Sequence, residues 1–115
     1  MKTRWHITRG EGELTLSRHR PARFDVKAEA TLPMGDPLRL AHQIRQDLWR
    51  QLQRLRGFSP VVRLTRAGEM IRVEAGGRVA APVAPGLAAE IAALLACPAR
   101  RDRWIAQARR QGKGF

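Results

Sequence analysis

The stretch FDVKAEATLPMGDPLRLAHQIRQDLW, residues 24–49, decides the fold. Its first nine residues alternate, with apolar side chains from Phe24 to Leu32 on one face and polar ones on the other. A period of two over that length predicts a β-strand with one solvated face. The segment PMGDP then breaks the alternation. Asp36 fits the N-cap of a helix and Pro37 its first position, so the strand is expected to lead directly into a helix.

The helix predicted after Asp36 is long and amphipathic. Between Pro37 and Arg56 the apolar residues recur every three or four positions: Leu38, Ala41, Ile44, Leu48, Leu52 and Leu55. That spacing places them on one side of a helix, and Gly57 suits the position after its last turn. Because only one side is apolar, the helix requires a sheet or other helices to cover it.

Two β-hairpins flank this strand-helix unit. Residues 3–9 and 13–18 alternate around the turn RGEG, and residues 61–66 and 69–75 alternate around the turn AG. Short alternating segments separated by glycine-containing turns are typical of antiparallel hairpins. Two short helices are expected near the C-terminus, where prolines at 85 and 98 suit first helical positions.

The order β-β-β-α-β-β-α-α predicts an α+β domain with an antiparallel sheet of about five strands. The long central helix and the short C-terminal helices are expected to pack on one face of that sheet. Residues 1–110 form a single compact domain in this prediction, with 111–115 as a flexible basic tail. Gly76 and Gly77 are expected to loosen the chain after the last strand, and the order of the strands in the sheet is left open.

The composition excludes several classes of protein. No apolar run approaches the roughly 20 residues of a membrane-spanning helix, and the start MKTRWHITRG has no secretory apolar region. The single cysteine, Cys97, cannot form an internal disulfide, which suits a reducing cytoplasm. We therefore expect a cytoplasmic protein without a membrane span.

Enzymatic chemistry has little support in the residue pattern. No two of the three histidines share metal-ligand spacing, and Cys97 has no CxxC partner. The motifs GxSxG, HExxH and GxxxxGK[ST] do not occur. We expect a protein that is not an enzyme and that has no catalytic residues, metal or cofactor.

The strongest functional signal is the formal net charge of +12, which attracts nucleic acid or acidic proteins. The excess gathers in the loop SRHRPARF (17–24), on the polar face of the long helix and in the C-terminal segment. Guanidinium groups suit phosphate geometry, so these residues are the candidates for nucleic-acid binding. They are Arg18, His19, Arg20, Arg23, Arg39, Arg50, Arg54, Arg100, Arg101, Arg103, Arg109 and Arg110. Solvated surface charge, with arginine favoured by GC-rich coding, is the other interpretation.

The three tryptophans divide into two groups. Trp5 and Trp104 lie on apolar faces and are expected in the core. Trp49 lies on a helix flank shared with His42, Arg45 and Arg56. A tryptophan beside arginines can stack a nucleobase, although an aromatic residue at the edge of the core is the more common case.

The sequence therefore favours a small basic protein that binds the phosphate backbone of RNA or DNA with little sequence specificity. The alternative is a non-enzymatic adaptor or assembly subunit, including a homodimer, that binds an acidic protein partner. The two hypotheses predict different arrangements of basic and apolar residues on the surface. Nucleic-acid binding predicts that the two terminal basic clusters converge on one face, whereas an adaptor predicts a contiguous apolar patch or an exposed sheet edge.

Overall fold

The computed structural model describes residues 5–80, 82–109 and 115. It confirms the α+β class and the predicted order of strands and helices. The elements are β1 (His6–Gly10), β2 (Glu13–Ser17), β3 (Val26–Pro33), α1 (Pro37–Leu52), β4 (Ser59–Ala67), β5 (Met70–Arg78), α2 (Leu87–Ala96) and α3 (Pro98–Ala108). No helix within these described ranges is long and apolar enough to cross a membrane.

The five strands form one antiparallel sheet in the order β1-β2-β4-β5-β3. Both predicted hairpins are present, and β2 joins them by pairing with β4. The strand β3 lies at the far edge beside β5, and α1 carries the chain from that edge back to the centre of the sheet. The sheet thus has β1 at one edge and β3 at the other.

The hydrophobic core lies between one face of the sheet and the three helices. Alternate strand residues, such as Leu14 and Leu64, meet the apolar side of α1, where Ile44 and Leu48 are fully buried. Trp104 of α3 is also fully buried, as the sequence predicts. Burial of these side chains is the main favourable contribution to folding.

The helix α1 begins where the sequence places it and ends earlier. The Asp36 carboxylate accepts hydrogen bonds from the backbone N–H groups of Leu38 and Arg39, at 3.0 and 3.3 Å. The prediction that the helix continues to Arg56 was wrong, because α1 ends at Leu52. A turn follows instead, and it brings Phe58 into the core.

The strand β5 continues through Gly76 and Gly77 to Arg78, so these glycines do not loosen the chain as expected. A Cβ atom at Gly76 would lie 2.0 Å from the Val26 carbonyl oxygen. One at Gly77, where φ is +151°, would lie 2.1 Å from the Ser59 carbonyl oxygen. Glycine is therefore required here so that three backbones can approach closely.

The strand β3 begins at Val26, two residues later than the alternation predicts. Phe24 leaves the core side and lies against the face of the sheet that carries no helix. Its ring there lies 5.8 Å from the Lys27 ammonium and 5.4 Å from the Arg63 guanidinium. The loop that precedes β3 thus crosses from one face of the sheet to the other.

Candidate nucleic-acid interface

Three strands end together at the end of the sheet opposite the hairpin turns. The ladder pairs Ser17 of β2 with β1 on one side and with β4 on the other. Continuing the same register by one residue places Trp5, Arg18 and Pro60 side by side. Their positions alternate with those of the open face, so they lie toward the helices.

The helix α1 covers this end of the sheet with Arg45 and Trp49, which are four residues apart and share one side of the helix. A cavity of about 380 Å³ lies between the helix and the strand ends. We call it the tryptophan cavity. Its lining residues are Trp5, Arg18, Arg45, Trp49 and Pro60.

Each indole of the tryptophan cavity has a cationic or aromatic neighbour. The Arg45 guanidinium lies 4.6 Å from the centroid of the Trp5 ring, and His42 meets that ring edge-on at 6.4 Å. Trp49 lies nearly parallel to Phe58, with an interplanar angle of 13°. Trp5 packs against the core as expected, and Trp49 is 39% exposed at its edge. Both predicted positions are compatible with a binding role, because the indoles also line the cavity.

The charge of the tryptophan cavity is not balanced by any acidic lining residue among the described residues. Burial lowers the pKa of Arg45, and the buried Nε of its guanidinium has no hydrogen-bond partner there. A terminal nitrogen of Arg45 lies 3.1 Å from Nδ1 of His42. Burial, and secondarily the Arg45 charge, lowers the pKa of His42, which favours the neutral imidazole that can accept this hydrogen bond. The described lining residues therefore give the cavity an excess of positive charge.

The basic loop turns around the same end of the sheet. Arg18 lies on the helix side, whereas Arg20 lies on the open face, at a second cavity of about 570 Å³. This second cavity is lined by Thr8, Glu13, Thr15, Arg20, Pro21, Ala22 and Arg63. The side chains of Arg18, His19 and Arg20 are exposed and make no ion pair or hydrogen bond with another described residue.

The far end of the loop is anchored. Arg23 donates two hydrogen bonds to the Asp25 carboxylate, at 3.0 and 3.2 Å, and Arg78 donates one to the Pro21 carbonyl oxygen. The Arg23 side chain, together with the Val79 backbone N–H, holds the pKa of Asp25 below its usual value. Arg23 thus already has a carboxylate partner, in contrast to Arg18 and Arg20.

The open face of the sheet is largely neutralised. Glu74, at its centre, lies within ion-pair distance of Lys27 and 3.7 Å from Arg63. The hydrogen bond from Lys27 is the main reason why the pKa of Glu74 is lowered. Arg63 also donates to the Thr15 hydroxyl at 3.4 Å, so less of its charge is available to a ligand in the second cavity.

The helix arginines predicted as a second surface are all exposed, but they differ in their acidic neighbours and in their position relative to α1. Arg39 lies 3.9 Å from the Asp36 carboxylate, and Arg50 lies 3.8 Å from Asp47. Arg54 is exposed in the turn that follows α1 and so is not on the helix face where the sequence places it.

Three of the predicted α3 arginines contact other parts of the protein. Arg100 donates to the Gln51 side chain at 3.4 Å and Arg101 to the Thr31 carbonyl oxygen at 3.1 Å, at the edge strand β3. Arg103 pairs with the Asp47 carboxylate. Arg109 is exposed at the end of α3, and Arg110 lies outside the described residues.

One of these arginines, Arg103, pairs with a buried carboxylate. Asp47 of α1 is only 5% exposed, and it accepts a hydrogen bond of 2.7 Å from the Trp104 indole as well as that from Arg103. Asp47 and Gln51 lie on the opposite flank of α1 from Arg45 and Trp49, since two residues turn a helix by about 200°. The basic loop and α3 therefore do not form one continuous surface, so the expectation that the two terminal basic clusters converge on one face was wrong.

Sequence reasoning missed the tryptophan cavity, although two signals pointed to it. Arg45 and Trp49 have the spacing of helix neighbours. In the first hairpin Gly10 pairs with Glu13 next to the turn. Continuing that register to the open end of the hairpin pairs Trp5 with Arg18. The sequence alone could not show that this hairpin end lies beneath α1, since that depends on the pairing of β2 with β4.

Comparison of the chain with protein-family models, curated proteins and solved structures finds no match. Within residues 5–80 and 82–109, no three His, Cys, Asp or Glu side chains gather closely enough to hold a metal ion. The candidate site is therefore defined by its geometry and charge.

Proposed function

We propose that the protein binds nucleic acid by phosphate contacts at the loop end of its sheet. The observation that supports this most directly is the state of Arg18 and Arg20. Both are exposed, both lack an acidic partner among the described residues, and each borders a cavity. Guanidinium groups in that state are available for charge-assisted hydrogen bonds to phosphate oxygens.

The internal contacts revise the predicted contribution of the other arginines. Arg100, Arg101 and Arg103 hold helices and the sheet edge together, and Arg23 is paired with Asp25. Their contribution to binding is expected to be smaller than that of the loop residues. Binding through a few phosphate contacts gives an affinity that falls steeply with salt and depends little on sequence.

Fluorescence anisotropy of labelled RNA and DNA across a salt series tests the proposal. The variant Arg18→Ala/Arg20→Ala is expected to bind more weakly, with a plot of log affinity against log salt that is shallower by roughly 1.5 to 2 units. The matched control is Arg9→Ala/Arg66→Ala, which removes two exposed charges at the hairpin end of the sheet. Equal slopes for the two variants, or no wild-type binding near ~150 mM salt, would reject the proposal.

One observation supports the adaptor alternative. The outer edge of β1 has no strand partner among the described residues, and Ile7 on that strand is 37% exposed. An unpaired edge can add a strand from a partner or a second copy. Sedimentation of the protein at micromolar concentration tests this, because a monomer would exclude the homodimer form of the alternative.

A further inference from the structure

We propose that the tryptophan cavity binds one unpaired nucleobase together with its phosphate. The base would stack on an indole, and the phosphate would bind the guanidinium groups of Arg18 and Arg45. This inference rests on the proposed function and adds the chemical class of the ligand. A nucleotide unit of this kind occurs both in a single strand and as a free mononucleotide.

The dimensions and lining of the cavity fit such a ligand. A volume of about 380 Å³ lies in the range of sites for small organic molecules. Two of the five lining residues are tryptophans, which provide broad flat surfaces for a planar base. Trp104 is fully buried in the core, so among the described tryptophans only Trp5 and Trp49 are placed to stack a base.

The charged groups that line the cavity favour an anionic ligand. Arg45 is half-buried, its Nε lacks a partner among the described residues, and none of the residues that line the cavity is acidic. Guanidinium groups without an acidic partner bind phosphate oxygens through charge-assisted hydrogen bonds. Arg18, which directly follows the last residue of β2, adds a second positive charge to the lining of the same cavity.

The position of the cavity selects unpaired bases. It lies between the ends of three strands and α1, so a base has to leave its stack to enter it. A base in a duplex must also give up its pairing, which costs additional free energy. We therefore expect a single strand to bind more tightly than a duplex of the same length.

The decisive experiment compares four probes on the wild-type protein. They are a single-stranded oligothymidylate of about 12 nucleotides, an abasic strand of the same length, a duplex of that length and adenosine monophosphate. Fluorescence anisotropy gives the affinity of the strands, and quenching of tryptophan fluorescence reports stacking on Trp5 or Trp49. The abasic strand keeps the phosphates and lacks the bases, so this comparison does not depend on any variant being folded.

Trp49→Leu is the variant that tests the site, since Trp49 is partly exposed and the change keeps an apolar side chain. Met70→Ala is the matched control, because Met70 is 40% exposed at the hairpin end of the sheet. We expect the wild type to bind the oligothymidylate about tenfold more tightly than the abasic strand. Trp49→Leu should reduce that ratio toward one, whereas Met70→Ala should not change it.

The outcomes separate this inference from the proposed function. Equal affinity for the oligothymidylate and the abasic strand would overturn the base site and leave phosphate binding intact. No binding of any strand, together with no quenching by adenosine monophosphate, would overturn both proposals. Quenching by adenosine monophosphate without binding of any strand would support the cavity as a nucleotide site and assign it to a free nucleotide.

Discussion

Two segments of this chain, 18–23 and 100–110, are both rich in arginine, but most of the described arginines in the two segments have different environments. In the loop, Arg18 and Arg20 are exposed and without partners among the described residues. In α3, by contrast, Arg100, Arg101 and Arg103 all make contacts with other elements. Arginine density is therefore a poor guide to which residues are free to bind a ligand.

The difference follows from acceptors that are distant in sequence. The partners of the α3 arginines are the side chains of Asp47 and Gln51 on α1 and the backbone of Thr31 on β3. The nearest acid in the α3 segment itself, Asp102, is not among them. A local count of charges underestimates how far a segment is neutralised by the folded protein.

The largest expected change in stability follows the replacement of Asp47, the buried acid of α1 that contacts α3. Replacing Asp47 with Ala leaves the Trp104 indole N–H without its acceptor in the core and removes the partner of Arg103. We expect a loss of about 3 kcal/mol in the free energy of unfolding, measured by urea denaturation. Asp102→Ala, which removes an exposed acid of α3, should change the free energy of unfolding by less than about 0.5 kcal/mol.

Equal losses for Asp47→Ala and Asp102→Ala would show that the Asp47 contacts contribute nothing specific. That result would reject the conclusion that the α3 arginine Arg103 has a stabilising partner in Asp47. A loss for Asp47→Ala alone would support it, because both variants remove one negative charge.

A smaller effect is expected when charges are removed from α3. Arg100→Ala/Arg103→Ala should lower the free energy of unfolding by about 1 kcal/mol, because both arginines are partly exposed and Asp47 keeps its hydrogen bond from the Trp104 indole. The salt dependence of nucleic-acid binding should stay close to that of the wild type. The loop variant Arg18→Ala/Arg20→Ala should behave in the opposite way, with stability within about 0.5 kcal/mol of the wild type and a shallower salt dependence.

Measuring both quantities on both variants gives a direct test. If the α3 variant loses as much of the salt slope as the loop variant, its arginines also contact phosphates. The assignment of α3 to packing would then be wrong, and the predicted twelve-residue set would regain support.

The sequence was sufficient to predict the order of the strands and helices along the chain. It was not sufficient to predict the order of the strands within the sheet. Alternation and capping residues located the strands and the start of α1, because these signals depend on neighbours in the chain. The position of β3 beside β5 depends on long-range pairing, and no local pattern specifies it. The continuation of β5 through Gly76 and Gly77 was missed for the same reason, since only the close approach of β3 and β4 requires glycine there.

The candidate site was predicted in part. The basic loop was recognised from its composition, and Trp49 was placed on the correct flank of α1. The loop and Trp49 could not be joined into one site without knowing that β2 pairs with β4 beneath α1. The partners of Arg100 and Arg103 were hidden in the same way, since they lie 49 and 56 residues away in the sequence.

The smallest expected effect is a pH dependence on the cavity side of α1. His42 faces Arg45 and Trp5, and its pKa is lowered by burial first and by the Arg45 charge second. Because the unfolded chain then binds a proton more readily, stability is complete above about pH 6.5 and falls as the pH drops below that value. Hydrogen bonds from Arg23 and Lys27, respectively, lower the pKa values of the Asp25 and Glu74 carboxylates, which favours their ionised forms in this window.

Urea denaturation at pH 7.5 and pH 5.5 measures this effect, with His42→Gln as the variant that cannot be protonated. We expect the wild type to lose more stability between the two pH values than His42→Gln. The same pH dependence in both proteins would show that His42 is not desolvated as the structure indicates. Adenosine monophosphate should reduce the wild-type loss, because a phosphate bound beside Arg45 would stabilise the protonated imidazole. On the side of α1 that faces α3, the Asp47 carboxylate balances the charge of Arg103. On the cavity side, the phosphate of the ligand would balance the charge of Arg45.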